Sequence, residues 1–333
     1  MKVQEKKIDD LNLELTLEVA AADYAEIEKK KLSERRRTAE FKGFRKGMVP
    51  ASLIKRVYGE QALVESVNQV VGEALDRHIR EKQLRILGEP LASENQPQIE
   101  WADGNDFTFV FDLGLSPEVS VEVEKGDTVP SYSVTLTAKD KAPMIENLKK
   151  YHEEHKEEGA EPRSDEDIEQ EVTERLKNQY KYEADWRLTR DIRDYFIKKA
   201  GVQLPEAFLK RWLVEANDGK VSAEDVEKDF PGFAEDFKWQ LVRGSLMQKW
   251  GFKVEESDLH EQAEAFARYQ YAMYGIANVP DEMVKEMAVN MLQDQKQVDR
   301  LVEQVEDRKV LDKIKETITL KPTKISAAKF REL

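Results

Sequence analysis

The chain has 333 residues, yet it contains no cysteine and no long apolar run. The absence of cysteine excludes disulfide bonds, thiol catalysis and thiolate metal sites. No stretch approaches the ~18 consecutive apolar residues that a membrane-spanning helix needs. The first residues, MKVQEKKIDDLNLELTLEV, lack the apolar segment and cleavage site of a secretory signal. We therefore expect a soluble, cytoplasmic protein.

Motifs typical of enzymes are also missing. The sequence has no glycine-rich phosphate loop, no HExxH pair and no nucleophile elbow. His152 and His155 stand three residues apart on a predicted helix, but no third metal ligand has a defined place beside them. A solvated helix explains this pair better than a metal site. We expect no catalytic residue, no metal and no cofactor.

Charge is distributed very unevenly along the chain. The net charge is -14, and 36% of the residues are charged. Residues 29–46 nevertheless hold nine Lys or Arg against two Glu, a local charge of +7, so the remainder of the chain carries -21. A basic island on an acidic body is typical of a protein that meets a polyanion at one end only. The alternative is a solvated helix face with no partner.

The first third of the sequence predicts a small α+β domain over residues 1–115. Residues 8–20 alternate apolar and polar side chains as a half-buried strand does. A helix over about 24–38, a glycine-containing loop and two further helices follow, the second of them ending before Gly88. The stretch FTFVFDLGL then alternates again and predicts another strand.

The rest of the chain predicts an elongated, mainly α-helical domain over residues 139–333. Residues 116–138 contain two short alternating runs separated by glycine and proline, which indicates an extended connector. Beyond it, breaks between apolar-periodic stretches suggest helices paired as arm-like hairpins. The predicted helices span residues 139–156, 165–199, 205–217, 222–250, 256–274 and 280–317.

One loop gathers the cations of the basic island around glycines. Residues 40–50, EFKGFRKGMVP, place Phe44, Arg45 and Lys46 between two glycines. Glycine allows positive φ, and the closing proline suits the start of a helix. An aromatic side chain flanked by cations on a rigid turn suits a protein groove bordered by nucleic-acid phosphates. The alternative is a helix–helix turn in which Phe44 folds back inside.

The segment GFRKGMVP resembles the ribosome-docking signature of bacterial trigger factor, Gly-Phe-Arg-x-Gly-x-x-Pro, at every fixed position. The resemblance extends over residues 1 to about 135, and PEAFLKRW and FKWQLVRGSLMQKWGFKV resemble the chaperone domain of that family. It implies docking on a ribosomal protein beside the nascent-chain exit, with rRNA nearby. The residues that the resemblance assigns to ribosome binding are Gly43, Phe44, Arg45, Lys46, Gly47 and Pro50.

The sequence departs from the family pattern at one place. Trigger factors usually carry an FK506-binding-protein-like prolyl isomerase domain after the connector. Here the connector runs directly into predicted helices, and no strand-rich segment remains to form that domain. The domain is either naturally absent or deleted, and we do not transfer isomerase activity to this chain.

A second apolar cluster lies in the predicted helical domain. Three methionines follow one another at spacings of four residues, and YQYAMYGIANVP falls between two helices where little core is available. Methionine adapts to varied apolar partners, which favours a surface for unfolded clients. The alternative is an ordinary core between helices. The predicted client-binding residues are Tyr269, Tyr271, Met273, Tyr274, Ile276, Met283, Met287 and Met291.

Together with these patterns, the resemblance implies an ATP-independent chaperone whose partners are the ribosome, with its exit-site protein and adjacent rRNA, and nascent or unfolded polypeptides. A homodimer is a further partner to test, and no membrane partner is expected. Three other functions compete with this one: an active prolyl isomerase, a SurA-type periplasmic chaperone and an rRNA-binding assembly factor. The missing isomerase domain opposes the first. The missing signal peptide and the 40–50 loop oppose the second. The third would bind naked rRNA without an exit-site protein.

Overall fold

A computed structural model describes residues 1–154, 164–217, 220–276 and 278–333. His155, considered above as half of a metal pair, lies outside these residues. The strands are β1 Lys2–Lys7, β2 Asn12–Val19, β3 Ile86–Ala92, β4 Phe107–Leu115, β5 Thr128–Thr135 and β6 Thr319–Ser326. The helices are α1 Ala21–Thr38, α2 Ala51–Glu81, α3 Ala138–Glu154, α4 Asp165–Ala200, α5 Glu206–Ala216, α6 Ala223–Trp250, α7 Glu256–Met273, α8 Asp281–Met291, α9 Gln295–Thr317 and α10 Ala327–Phe330.

The chain forms two compact units. The first contains residues 1–118 and 203–234, and the second contains residues 119–202 and 235–333. The N-terminal part is α+β and most of the remainder is helical, which confirms the predicted fold class. The division of the sequence near residues 115 and 138 did not anticipate that residues 203–234 join the first unit.

The first unit is built on an antiparallel sheet of order β1-β2-β4-β3. Strand β2 follows its predicted alternation, with Leu13, Leu15 and Leu17 buried and the polar residues between them half exposed. Helix α2 covers the same face with Val67 and Val71. Burying each of these side chains contributes about 1.5–3 kcal/mol, so this face is the main source of stability in the unit.

Helix α2 is a single helix of 31 residues, and the prediction of two helices after Pro50 was wrong. The expected break fell at Gly59, which remains inside the helix. One glycine lowers helix stability by about 1 kcal/mol relative to alanine, but it does not end a helix when no proline or cap follows. The buried face continues across it from Ile54 to Ala62, and this packing outweighs the local preference.

Helix α5 packs against β3 and β4 at positions where both strands carry glycine. A Cβ atom on Gly88 would stand 2.7 Å from the Trp212 ring, and one on Gly114 would stand 2.4 Å from the Phe208 ring. Only glycine therefore permits this close approach. Arg211 adds a 2.8 Å ion pair to Asp112 of β4. These contacts explain why a segment distant in sequence belongs to the first unit.

Helix α4 runs through the second unit as its central element. Its buried side chains recur at every fourth residue. Four residues turn an α-helix by about 400°, so a stripe with this repeat drifts about 40° around the helix at each step. The helix therefore faces different neighbours along its length. Residues 168–184 pack with Ala327 and Phe330 near the C-terminal strand.

The predicted connector carries strand β5, which pairs in parallel with β6 from Thr128 opposite Thr319 onward. Strand β6 was not among the predicted elements. The buried Asp127 carboxylate fixes the start of β5 because it accepts hydrogen bonds from Tyr195 at 2.8 Å and Lys199 at 2.6 Å. Burial opposes ionisation of Asp127, but the hydrogen bonds from Lys199, the Glu124 backbone and Tyr195 outweigh it and lower its pKa.

Helices α7, α8 and α9 enclose a small core of their own. The prediction of one helix over residues 280–317 was wrong, because α8 and α9 are separate helices. The Asp294 side chain caps α9 by accepting hydrogen bonds from the backbone N–H groups of Lys296 and Gln297. A side-chain cap of this type starts a new helix and is worth about 0.5–2 kcal/mol.

Candidate functional site

The 40–50 loop consists of two consecutive tight turns. The first is closed by a 3.1 Å hydrogen bond that the backbone N–H of Phe44 donates to the carbonyl of Phe41. The second repeats it four residues later, with a 2.8 Å bond from the N–H of Met48 to the carbonyl of Arg45. Residues 42–46 and Met48 are all exposed in these turns.

The third residue of each turn is a glycine at positive φ. Gly43 has φ +93° and Gly47 has φ +82°. This is the position where type II turns require the left-handed region, which side chains disfavour. The two signature glycines therefore have a physical role in this chain, since each allows one turn to close.

The base of the loop is fastened to the helices on both sides. Val49 is fully buried, and its carbonyl accepts a 2.7 Å hydrogen bond from Nε of Arg36. Pro50 directly precedes α2, where its fixed φ suits a helix start. The Phe41 ring packs edge-on against Tyr58 with 6.2 Å between ring centroids. The loop is thus held at its base while its turns remain exposed.

The turns display apolar and basic side chains together. Phe44 is 44% exposed, so it does not fold back into a helix–helix core. Arg45 is exposed, and Lys46 makes only an exposed contact with Glu40 at 3.6 Å. Met48 is 68% exposed beside them and was missed by the sequence analysis. Its place inside the glycine-bounded loop, beside the basic residues, was the available signal.

Most cations of the basic island have no partner among the residues that the structure describes. Lys31 and Arg35 both approach Glu65, at 3.8 and 3.4 Å. Over the described ranges, five others make no ion pair or side-chain hydrogen bond, and these uncommitted cations are Lys29, Lys30, Arg37, Lys42 and Arg45. Surface cations without a partner are free to neutralise the phosphates of a polyanion and to release the counterions condensed on it.

The α7–α8 hairpin presents the second predicted surface. We define the hairpin tip as residues 269–276. Its most exposed side chains are Tyr269 at 62%, Met273 at 70%, Tyr274 at 81% and Ile276 at 47%. Tyr271 is half buried, and Met283 at the start of α8 is 47% exposed. Four large exposed side chains thus fall within eight consecutive residues, which is unusual for a surface with no partner.

A Schellman motif holds the hairpin tip in one conformation. Gly275, at φ +79°, donates its N–H to the carbonyl of Ala272, and Ile276 donates to the carbonyl of Tyr271 at 3.0 Å. A 2.8 Å ion pair between Arg268 and Asp281 joins the two helices below it and lowers the pKa of Asp281. The exposed side chains therefore project from a fixed turn.

The methionine stripe of α8 divides between surface and core. Met283 is exposed, Met287 packs partly into the core, and Met291 is buried against Ala288 and Leu301. The same drift of about 40° per four residues rotates the stripe from solvent into the core within two turns. The expectation that Met287 and Met291 lie on an open client surface is corrected accordingly.

Two other kinds of site are absent from the described residues. That part of the chain contains no group of three or more His, Asp or Glu side chains able to hold a metal. None of its helices is both long enough and apolar enough to cross a membrane.

Comparison with known proteins points to one family at both ends of the chain. Residues 1–148 match the family model described as bacterial trigger factor protein. Residues 184–333 match the model described as probable trigger factor, C-terminal domain. Two models of a single family thus account for most of the sequence.

Curated relatives and a solved structure agree with these models. The protein named trigger factor from Francisella tularensis subsp. novicida (strain U112) is 31% identical over 151 residues, which cover 45% of this chain and 33% of that one. Trigger factor from Coxiella burnetii (strain CbuK_Q154) is 28% identical over 152 residues, covering 46% and 34%. The matches thus span about a third of the curated relatives' length.

The structural match covers nearly the whole chain. A solved structure described under "Promiscuous Substrate Recognition in Folding and Assembly Activities of the Trigger Factor Chaperone" superposes with a TM-score of 0.54. The match covers 95% of this chain and 99% of that one, at 16% identity. At this identity the likeness establishes the fold.

Proposed function

Because the chain belongs to the trigger factor family, we propose that it is an ATP-independent chaperone that docks on the ribosome and shields nascent or unfolded polypeptides. The 40–50 loop is its docking element, and the hairpin tip contributes to client binding. The cytoplasm, where ribosomes translate, is the proposed compartment.

The observation that carries docking is the exposure of Phe44, Arg45 and Met48 on two fastened turns. An apolar side chain held in solvent by a rigid turn supplies an anchor for a protein groove. Neighbouring uncommitted cations supply attraction to phosphate. A partner that offers both an apolar pocket and phosphates is a ribosomal protein surrounded by rRNA, and the exit site named by the family resemblance is such a place.

The hairpin tip supports the second half of the proposal. Tyrosine, methionine and isoleucine side chains in solvent can contact many different apolar segments without a defined pocket, which suits clients that share no sequence. Contacts of this kind are individually weak, so clients can leave without nucleotide hydrolysis. Exposed Met283 extends the same surface, while Met287 and Met291 support it from the core.

Isomerase activity is not part of the proposal. Over the described residues, β5 is followed by the helices α3 and α4, and no strand-rich domain intervenes there. We therefore propose that this chain acts by holding clients and leaves prolyl isomerisation to other proteins.

Ribosome co-sedimentation tests the docking proposal directly. Replacing Phe44, Arg45 and Lys46 together by alanine should abolish co-sedimentation and leave the thermal melt nearly unchanged, because all three side chains are exposed. A matched control replaces Lys6, an exposed lysine on β1, by alanine. If the triple variant sediments like the parent, the loop has only a structural role. Equal binding to naked rRNA would instead indicate an rRNA-binding assembly factor.

A further inference from the structure

A groove of about 510 Å³ lies beside the 40–50 loop, between α1 and the first turns of α2. Its walls are largely apolar and include Ala25, Leu32, Ala51 and Ile54. Arg36 also lines the groove, and it is the residue that holds the loop through the carbonyl of Val49. Arg36 therefore contacts both the groove and the loop.

The groove contains a buried glutamate that has no partner among the described residues. Glu28 lines it and is only 6% exposed. No other described residue gives Glu28 a hydrogen bond or an ion pair within 4 Å. Burial, together with repulsion from Asp103, raises the pKa of Glu28, although Lys55 attracts it from a distance. A carboxylate that is largely withdrawn from water and lacks a partner is costly, so this side chain is suited to receive one where it opens onto the groove.

Two of the three cations that line the groove already have a partner. Lys55 forms an ion pair with Asp103, and Arg36 donates to the Val49 carbonyl. Lys29 is the lining cation that has no partner among the described residues. An anionic ligand would find few free donors here and would approach Glu28. A cationic ligand would neutralise Glu28 instead.

An apolar wall that leads to a carboxylate matches one kind of side chain. Arginine and lysine have methylene stems that pack along apolar surface and carry their charge at the tip. The guanidinium group of arginine can also donate two parallel hydrogen bonds to a carboxylate. A ligand of this shape would cover Ala25 and Leu32 with its stem and pair with Glu28.

We propose that this groove receives an arginine or lysine side chain of the protein on which the 40–50 loop docks. The inference rests on the proposed function for the identity of the partner. It adds a second contact, of opposite polarity, to the basic loop: the loop presents cations to phosphate, and the groove accepts a cation from protein. Such a pair of contacts would fix the orientation of docking as well as its place.

The groove can be tested without ribosomes. The full chain, with its alanine methyl groups isotopically labelled, is titrated with n-butylguanidinium while the NMR signals of Ala25 and Ala51 are followed. We expect saturable shifts, and Glu28→Gln should weaken binding by about tenfold or more because the ion pair is lost. Neutral n-butylurea should bind correspondingly weakly. Glu34→Gln, at an exposed position on the same helix, is the control and should bind like the parent.

Two results of this titration would overturn the proposal. One is equal binding of n-butylguanidinium to the parent and to Glu28→Gln. The other is tighter binding of butyrate than of n-butylguanidinium, which would identify an anion site formed by Lys29 and its neighbours. The thermal melt of Glu28→Gln should lie at or above that of the parent, because the substitution removes a costly buried charge, so loss of binding cannot be attributed to unfolding.

Ribosome binding then tests the partner. Glu28→Gln should lower the affinity for ribosomes several-fold, and Glu34→Gln should leave it unchanged. An unchanged affinity of Glu28→Gln would overturn the assignment of the groove to the docking partner. Failure of the docking proposal itself looks different, since the Phe44, Arg45 and Lys46 variant would then retain full ribosome binding.

Discussion

The 40–50 loop and the hairpin tip both use glycine at positive φ to hold apolar side chains in solvent. In the loop, Gly43 and Gly47 close the turns that expose Phe44 and Met48. In the tip, Gly275 closes the Schellman motif that exposes its neighbours. Each region is rigid at its base and apolar at its surface.

The two regions differ in their charge. Five uncommitted cations surround the loop or precede it on α1. Near the tip, Arg268 is already paired with Asp281, and Lys285 also lies close to that carboxylate. Two similar exposed apolar surfaces can therefore select different partners, because the charge around each surface determines which partner it attracts and which it repels. We expect the loop to select a phosphate-rich partner and the tip to accept uncharged apolar segments.

The largest expected effect separates the surface of the hairpin from its core. Met291→Ala should lower the free energy of unfolding by about 2–5 kcal/mol, since it leaves a cavity between α7, α8 and α9. Met273→Ala should change it by less than about 0.5 kcal/mol, because that side chain is 70% exposed. Chemical denaturation of both variants measures the difference. Equal destabilisation would mean that Met273 belongs to the core.

Salt should distinguish the two regions next. If the five uncommitted cations contact phosphate, raising salt from about 50 to 200 mM should weaken ribosome binding on the order of 10²-fold. Suppression of client aggregation at the apolar tip should change by less than about twofold over the same range. Co-sedimentation and light scattering provide the two measurements. Ribosome binding that is insensitive to salt would rule out phosphate contacts by the loop.

The turn glycines provide a smaller test of the scaffold. Alanine in the left-handed region costs roughly 1–2 kcal/mol, so Gly47→Ala should weaken ribosome binding about 5- to 30-fold if the turn must keep its shape. Gly275→Ala should leave ribosome binding intact and reduce client protection. Gly126, at negative φ with open space beside it, is the control position for alanine. A Gly47→Ala variant with parental affinity would mean that docking does not depend on this turn.

No effect at all is expected on proline-limited refolding. The uncatalysed reaction crosses a torsional barrier of about 18–20 kcal/mol, and lowering it requires a domain that the described helices α3 and α4 do not form. Refolding of a client with a slow proline phase should keep its uncatalysed rate at every concentration of this protein. An acceleration that rises with its concentration would contradict the prediction.

Local patterns in the sequence predicted local structure well. The alternation of β2 and the periodicity of α4 gave the correct element types, and the glycine spacing of the 40–50 loop indicated its turns. The predicted number of helices was wrong where packing overrode a local preference, as at Gly59, and where the Asp294 cap started a new helix. In both cases the interaction that decides where the helix ends is hard to identify in the sequence and is evident in the structure.

Contacts between distant segments were out of reach of a single sequence. Nothing local to β6 indicates its pairing with β5, and nothing local to Trp212 indicates that it packs on Gly88. The burial of Met291 depends on Leu301 of another helix. Glu28 was passed over for the same reason, since a glutamate on a basic helix shows its isolation only when its neighbours are placed in space.

The central claim is that the loop docks and the tip holds clients, each independently of the other. The most direct measurement compares two variants side by side under the same conditions. Each is assayed for ribosome co-sedimentation and for suppression of client aggregation. The first replaces Phe44, Arg45 and Lys46 by alanine, and the second replaces Met273, Tyr274 and Ile276 by serine.

We predict that the loop variant loses ribosomes and still protects clients in their absence. The tip variant should bind ribosomes normally and protect clients poorly, with a melt close to that of the parent. Loss of both activities in either folded variant, or retention of both in the two variants, would contradict the account.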